Sequence, residues 1–176
     1  MDGRFHKTAH IGREMIVNAV ERLRQVAPVK VVIIPGNHDQ LSAWHLGDSL
    51  ECYFHRDRDV EIDNAPTLRK YHRFGRVMLM FTHGNKGKLQ DYPLLMATEQ
   101  PAMWGQTTFR EAHTGHLHKM QVQEQHGVRV RILGALCATD AWHSEMTFVG
   151  NKRTAEAFVW SASEGEIGHA TFTAQE

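Results

Sequence analysis

Apolar positions recur every three or four residues between Thr8 and Ala27: Ile11, Met15, Ile16, Ala19, Val20, Leu23 and Val26, with Arg13, Glu14, Glu21, Arg22 and Arg24 between them. That spacing predicts an amphipathic helix over 8–27, ended by Pro28. The next stretch, Val29 to Ile34, is nearly all β-branched, the composition of a strand buried on both faces. It stops at Pro35-Gly36, and the loop after it reads Asn37-His38-Asp39. A second helix is predicted over Leu41 to Phe54, with Trp44, Leu46 and Leu50 on its buried side. A short strand is predicted at Val60 to Asp63. Two more follow at Leu68 to Tyr71 and Arg76 to Thr82, joined through Phe74-Gly75, and the second is almost wholly apolar. Residues 86–105 hold Pro93 and Pro101 and predict a short helix among loops. Phe109 to Thr114 predicts a strand. Met120 to Gln125 and Val128 to Leu133 alternate around His126-Gly127, a hairpin pattern, and Thr154 to Trp160 with Ile167 to Phe172 form a second around Ser163-Glu164-Gly165. Helix followed by buried strand is the order of an α/β protein. No repeat, low-complexity tract or linker divides the chain, so a single domain over 1–176 is expected.

Composition narrows the class. At 176 residues, 41% hydrophobic and 23% charged, the chain is an ordinary globular one, which excludes disordered and fibrous types. It has no run of 18 apolar residues, so no transmembrane helix is predicted, and Met1 to His10 lacks the apolar core of a signal peptide. A cytoplasmic location and no membrane partner are expected. Twenty Lys+Arg against 20 Asp+Glu argue against a non-specific, electrostatic nucleic-acid binder. Cys52 and Cys137 are far apart, and read as buried thiols of a reducing compartment. The one excess is histidine, with 13 residues.

Three of the predicted apolar strands end in loops rich in metal-competent groups: Gly36-Asn37-His38-Asp39, Thr82-His83-Gly84 and Gly115-His116-Leu117-His118. In α/β sheets ligands bind beyond the carboxyl ends of the strands, so the three loops are expected to converge on one sheet edge. Neutral imidazoles from His83, His116 and His118 with the amide oxygen of Asn37 make a mixed nitrogen and oxygen shell. Such a shell suits a divalent transition metal, Mn first, or Fe, Zn or Ni, over Mg or Ca. Two such metals about 3.5–4 Å apart activate a bridging water and stabilise the leaving oxygen of a phosphoryl displacement. His38, beside the metals and not bound to them, is placed to protonate the leaving alkoxide.

These motifs, in this order and each behind an apolar strand, resemble the latter half of the calcineurin-like metallophosphoesterase signature, strongly over residues 29–118 and more loosely over the two C-terminal hairpins. The overall pattern is similar to compact bacteriophage phosphoesterases described as DNA-repair exonucleases. The resemblance implies an α/β fold, a β-sandwich flanked by helices in a reduced, N-terminally shortened form. It also implies hydrolysis of phosphoesters, with DNA among the substrates, in a bacterial or phage-infected host cytoplasm. Residue by residue, it makes Asn37 a ligand of one metal, His38 the general acid and phosphate contact, and Asp39 the group that orients His38. His83 and His116 complete the shell of that same metal, and His118 binds the other.

The family's opening Asp-x-His and Gly-Asp-x-x-Asp loops have no counterpart here. Three accounts stand open: a fragment; a natural short form with a single metal; or ligands supplied by Asp2, His6, His10 or another subunit. A missing first βαβ portion uncovers a strand edge, and a homodimer or higher oligomer is the expected way to hide it. Rival readings are a metal-binding protein with an incomplete site, either an inactive assembly module or a single-metal enzyme of ester or redox chemistry. Outside the loops, His143 is a candidate substrate contact, and His113 reads as structural. His6, His10, His45, His55, His72, His126 and His169 read as surface residues. Trp44, Trp104, Trp142 and Trp160 read as core or interface, and Arg69 to Arg73 as a solvated basic face.

Overall fold

The computed structural model describes residues 4–117, 119–136 and 152–174. The fold is mixed α/β, in two compact units, Met1–Thr67 and Leu68–Glu176.

The first unit runs α1 (Arg4–Leu23), β1 (Val29–Val32), α2 (Gln40–Phe54) and β2 (Val60–Asp63). β1 and β2 pair in parallel, Val29 beside Val60 and Val32 beside Asp63. Ile16, Val17 and Val20 of α1 and Leu46, Leu50 and Phe54 of α2 pack on the face formed by Val29, Val31, Ile33, Val60 and Ile62. The opposite face of the pair is polar at its middle, where Lys30 Nζ donates to Glu61 Oε1 at 2.6 Å. β1 is therefore not buried on both faces as its composition implied, since Lys30 is exposed. α2 lies close to the end of β2 because Gly47 has no side chain. A Cβ there would meet the Asn64 amide oxygen at 2.1 Å. Asn64 uses that approach to donate from Nδ2 to the Trp44 carbonyl at 3.0 Å. Trp44 itself is 40% exposed, against the core position expected of it, because the buried stripe of α2 runs through Leu46, Leu50 and Phe54. Cys52 also departs from expectation. It is an exposed free thiol, on the outer side of the same helix.

The second unit centres on five strands: β3 (Arg69–Phe74), β4 (Val77–Thr82), β5 (Phe109–Thr114), β6 (Gln121–Gln125) and β7 (Val128–Ile132), in the spatial order β3-β4-β5-β7-β6. β4, β5 and β7 are parallel, and β3 and β6 run antiparallel at the margins. Between β4 and β5 the chain forms α3 (Tyr92–Glu99) and α4 (Pro101–Gln106), each opened by a proline at its start, where the missing N–H costs nothing. Tyr92 and Met96 of α3 pack on Met78, Met80, Ala112, Val128 and Val130, the main core. The final hairpin, β8 (Thr154–Ser161) and β9 (Gly165–Thr173), covers the other face of the sheet. Phe158 sits 4.7 Å from the His113 ring centroid and under the Arg131 guanidinium.

Between sheet and hairpin lies a buried ionic cluster. His113 Nε2 and Glu111 Oε1 are 2.8 Å apart, and Arg131 Nε donates to the same oxygen at 2.7 Å. Arg131 Nη2 and Arg129 Nη1 each donate to Glu166 Oε2 at 2.7 Å. Burial pushes the Glu111 carboxyl upward, but hydrogen bonds and charge from His113 and Arg131 together outweigh it. The group is held below the usual glutamate range. The hairpin turns Glu166 and the Phe158 and Trp160 rings toward the sheet, while Val159, Ile167 and Phe172 are 57–60% exposed.

Candidate functional site

β4 and β5 are adjacent and parallel, so the loops at their carboxyl ends begin side by side. Thr82 pairs with Thr114, and the pairing runs one step further, where Gly115 N–H donates to the His83 carbonyl at 3.0 Å. That bond sets the two histidines opposite one another. His83 Nε2 and His116 Nδ1 stand 3.2 Å apart, with ring centroids at 5.0 Å and planes inclined by 69°. Both residues are half-buried.

The separation has chemical content. Two imidazole nitrogens on one ion, each bound at about 2.0–2.1 Å with a tetrahedral angle, are about 3.3–3.4 Å apart. Without an ion the same spacing suits one N–H···N hydrogen bond, one ring donating and the other accepting. The pair fits a transition ion in donor type and in spacing. His116 also holds φ at +64°, a left-handed conformation that costs a non-glycine residue free energy and is found where geometry is imposed. Gly84 is at φ +99°, and a Cβ there would meet Thr114 Oγ1 at 2.0 Å. Only glycine fits this turn.

Among the described residues, no group of three or more His, Cys, Asp and Glu side chains gathers around one point. His83 and His116 bring two imidazole nitrogens together, and the other ligands expected from the sequence, Asn37 and His118, come from elsewhere in the chain. His118 and His143 lie outside the described residues, as do Asp2, Cys137 and Trp142. The loop of the first unit is built differently. Residues 37–39 turn directly into α2, and β1 in front of them pairs with β2, not with the five-stranded sheet. A single sheet edge therefore does not carry all three loops, because β1 belongs to a different ladder. Asn37 is half-buried and His38 exposed. Asp39 precedes the first helical residue, yet its side chain caps no helix N–H. Its Oδ1 reaches back to accept from Gly36 N–H at 2.6 Å and closes the turn around Asn37 and His38.

His113 is structural, as its context indicated, locked to Glu111 beneath the hairpin. His6, His10, His45, His55, His126 and His169 lie on the surface, while His72 is half-buried. Of the two histidines named as substitute ligands, His10 pairs with Glu14 on its own helix at 3.1 Å. The basic run on β3 is not a solvated face. Arg69 and Tyr71 both bond Glu99 of α3, Arg73 bonds Gln106, and Lys70 is buried. Arg69 holds the Glu99 carboxyl below its ordinary value, with Tyr71 adding to the effect against partial burial. Trp104 packs at the edge of the main core with the Arg110 guanidinium 4.0 Å over its ring. Sequence patterning missed Thr114, a buried strand-end hydroxyl beneath the histidine loops. Its only signal was its place directly before Gly115-His116.

No helix among the described residues is long and apolar enough to cross a membrane. No protein-family model matches the chain, and no curated protein matches it. Among solved structures, a conserved uncharacterized protein of Streptococcus pneumoniae TIGR4, described as a predicted phosphoesterase, is similar at 10% identity and a TM-score of 0.30. The match covers 82% of this chain and 95% of that one.

Proposed function

We propose that the chain is a metal-dependent hydrolase of phosphoesters, built as a reduced calcineurin-like α/β sandwich. The observation that carries this reading is the 3.2 Å approach of His83 Nε2 and His116 Nδ1 at the carboxyl ends of neighbouring parallel strands. Those two side chains would hold a divalent transition ion, Mn in the first instance, and the sequence motifs imply Asn37 and His118 as further ligands. When bound, such an ion polarises a phosphoryl oxygen and makes its water a nucleophile at neutral pH. The chain's own residues then supply position and protons. His38 gives a proton to the departing alkoxide, which leaves as an alcohol. Asp39, by bonding Gly36 N–H, keeps the turn that carries His38 in one conformation. That turn opens the 15-residue helix α2, whose N-terminal dipole favours a phosphate dianion or diester near it. A nucleic-acid diester is the substrate implied by the motif order, and a second copy of the chain is the expected partner.

The test pairs elemental analysis of purified protein with turnover of bis-p-nitrophenyl phosphate. Bound transition metal, turnover that a chelator removes, and a loss of about 10²–10⁴-fold in kcat for His38→Ala are expected. Metal-free protein that neither takes up Mn nor cleaves the diester overturns the proposal. Metal uptake without turnover, unaffected by His38→Ala, selects the second reading, a binding protein with an incomplete site. That reading draws on the absence of a three-ligand cluster among the described residues.

A further inference from the structure

The floor beneath the two histidine loops is one hydroxyl group. Thr114 ends β5 and is 3% exposed. Its carbonyl accepts from Leu133 N–H at 2.7 Å, which ties it to the strand beyond, and its backbone is in register with Thr82 on the other side. Its Oγ1 lies where a Cβ on residue 84 would be, only 2.0 Å from that point, so a Gly84 Cα hydrogen is directed at the oxygen. Tyr92 of α3 is 1% exposed and its hydroxyl is buried. Burial pushes the Tyr92 hydroxyl's pKa up, and the Thr114 hydroxyl is close enough to draw it partly back. Among the described residues, neither oxygen makes a hydrogen bond of good geometry. Buried hydroxyls in that condition are uncommon and costly, and that of Thr114 lies against the turn that carries His83.

We infer that Thr114 is a positioning residue: its hydroxyl, supported by Tyr92, fixes the height of the His83-Gly84 turn and so holds His83 Nε2 at ligand spacing from His116 Nδ1. The size of the group decides the matter. A methyl is larger than a hydroxyl and cannot accept the Gly84 Cα–H, so valine lifts the turn. Alanine leaves a gap into which the turn sinks. Serine keeps the oxygen. The effect reaches the ion only through His83, because Thr114 is buried behind the loop. This inference rests on the metal reading of the site.

Cobalt(II) is the probe, followed by its visible absorption in titrations of the full chain, with thermal unfolding of the metal-free proteins alongside. Wild type and Thr114→Ser are expected to bind cobalt alike. Thr114→Val is expected to bind about 10–100-fold more weakly, the range seen when a group behind a metal ligand is removed. Its metal-free melting temperature should stay close to wild type, because the replaced hydroxyl makes no hydrogen bond for the fold to lose. Gly84→Ala, which drives a Cβ into the same oxygen, should show the same loss. Tyr92→Phe should lose less, since it removes the support and not the contact. Two outcomes overturn the inference while leaving the metal reading intact. In one, Thr114→Val binds cobalt within twofold of wild type while His83→Ala binds none. In the other, the losses in Thr114→Val and Thr114→Ser are equal and follow the fall in melting temperature. A wild-type chain that binds no cobalt overturns both.

Discussion

His116 carries two loads that conflict. Its imidazole faces His83, and its backbone sits at φ +64°, where a side chain brings a penalty of roughly 1–2 kcal/mol. Glycine escapes that penalty but gives back part of the gain through its freer unfolded chain. Comparing His116→Gly with His116→Ala isolates the backbone, since neither keeps the ring. The glycine variant should be the more stable by up to about 1 kcal/mol in urea unfolding, and both should lose metal uptake. Equal stabilities would mean that the turn relaxes out of the left-handed region once the ring is gone. At this scale the sequence was informative where two motifs follow neighbouring strands: His83 and His116 stand side by side, whereas the loop of Asn37 and His38 follows a strand of another sheet. It was silent on Thr114, because its contact with Gly84 crosses between strands and leaves no mark on local spacing.

The elements themselves were largely legible, since apolar periodicity and turn residues mark strands and helices locally. α1 spans Arg4–Leu23 where 8–27 was expected, because the helix frays into turns before Pro28 and extends through the polar residues in front. Which ladder each strand joins is a non-local matter. β4 and β5 are neighbours and β1 is in another sheet, and nothing in their compositions distinguishes them. Burial is non-local too: Glu111, His113 and Arg131 alternate along β5 and β7, and the hairpin covers them in a buried ionic cluster. The cluster predicts an acid limit. Glu111's folded pKa lies below the ordinary value near 4.5, so the unfolded chain takes up its proton first as pH falls. The stabilisation is complete above that value and is lost as pH drops through the folded pKa. Urea midpoints of wild type should therefore fall steeply below about pH 4.5, and those of Glu111→Gln should fall less steeply from a lower start. Removing the carboxylate altogether, in Glu111→Ala, leaves Arg131 and His113 without their shared acceptor and should cost roughly 3–5 kcal/mol at neutral pH.

For the molecule as a whole, each unit has its own core, and the two differ in how they are built. The first rests on Val20, Leu50 and Phe54 around a two-stranded parallel pair. The second has a five-stranded sheet covered on both faces, with Val77, Met78, Met80, Ala112, Val128 and Val130 fully buried. Parallel strands are secure when covered and extended on both sides, and a pair alone has two open flanks. Amide hydrogen exchange should show this directly, with β4, β5 and β7 the slowest segments and β1 and β2 exchanging at least about tenfold faster. Uniform protection across all five would show that the units open as one.

The terminal ribbon has a consequence for handling the protein. It already shows hydrocarbon on its outer side and keeps charge and two aromatic rings underneath, so lifting it even briefly gives solvent a strip with greasy surface on both sides. The onset of clumping in stored samples would then follow how often this ribbon peels away, at acid pH above all, and not how often the whole chain comes apart.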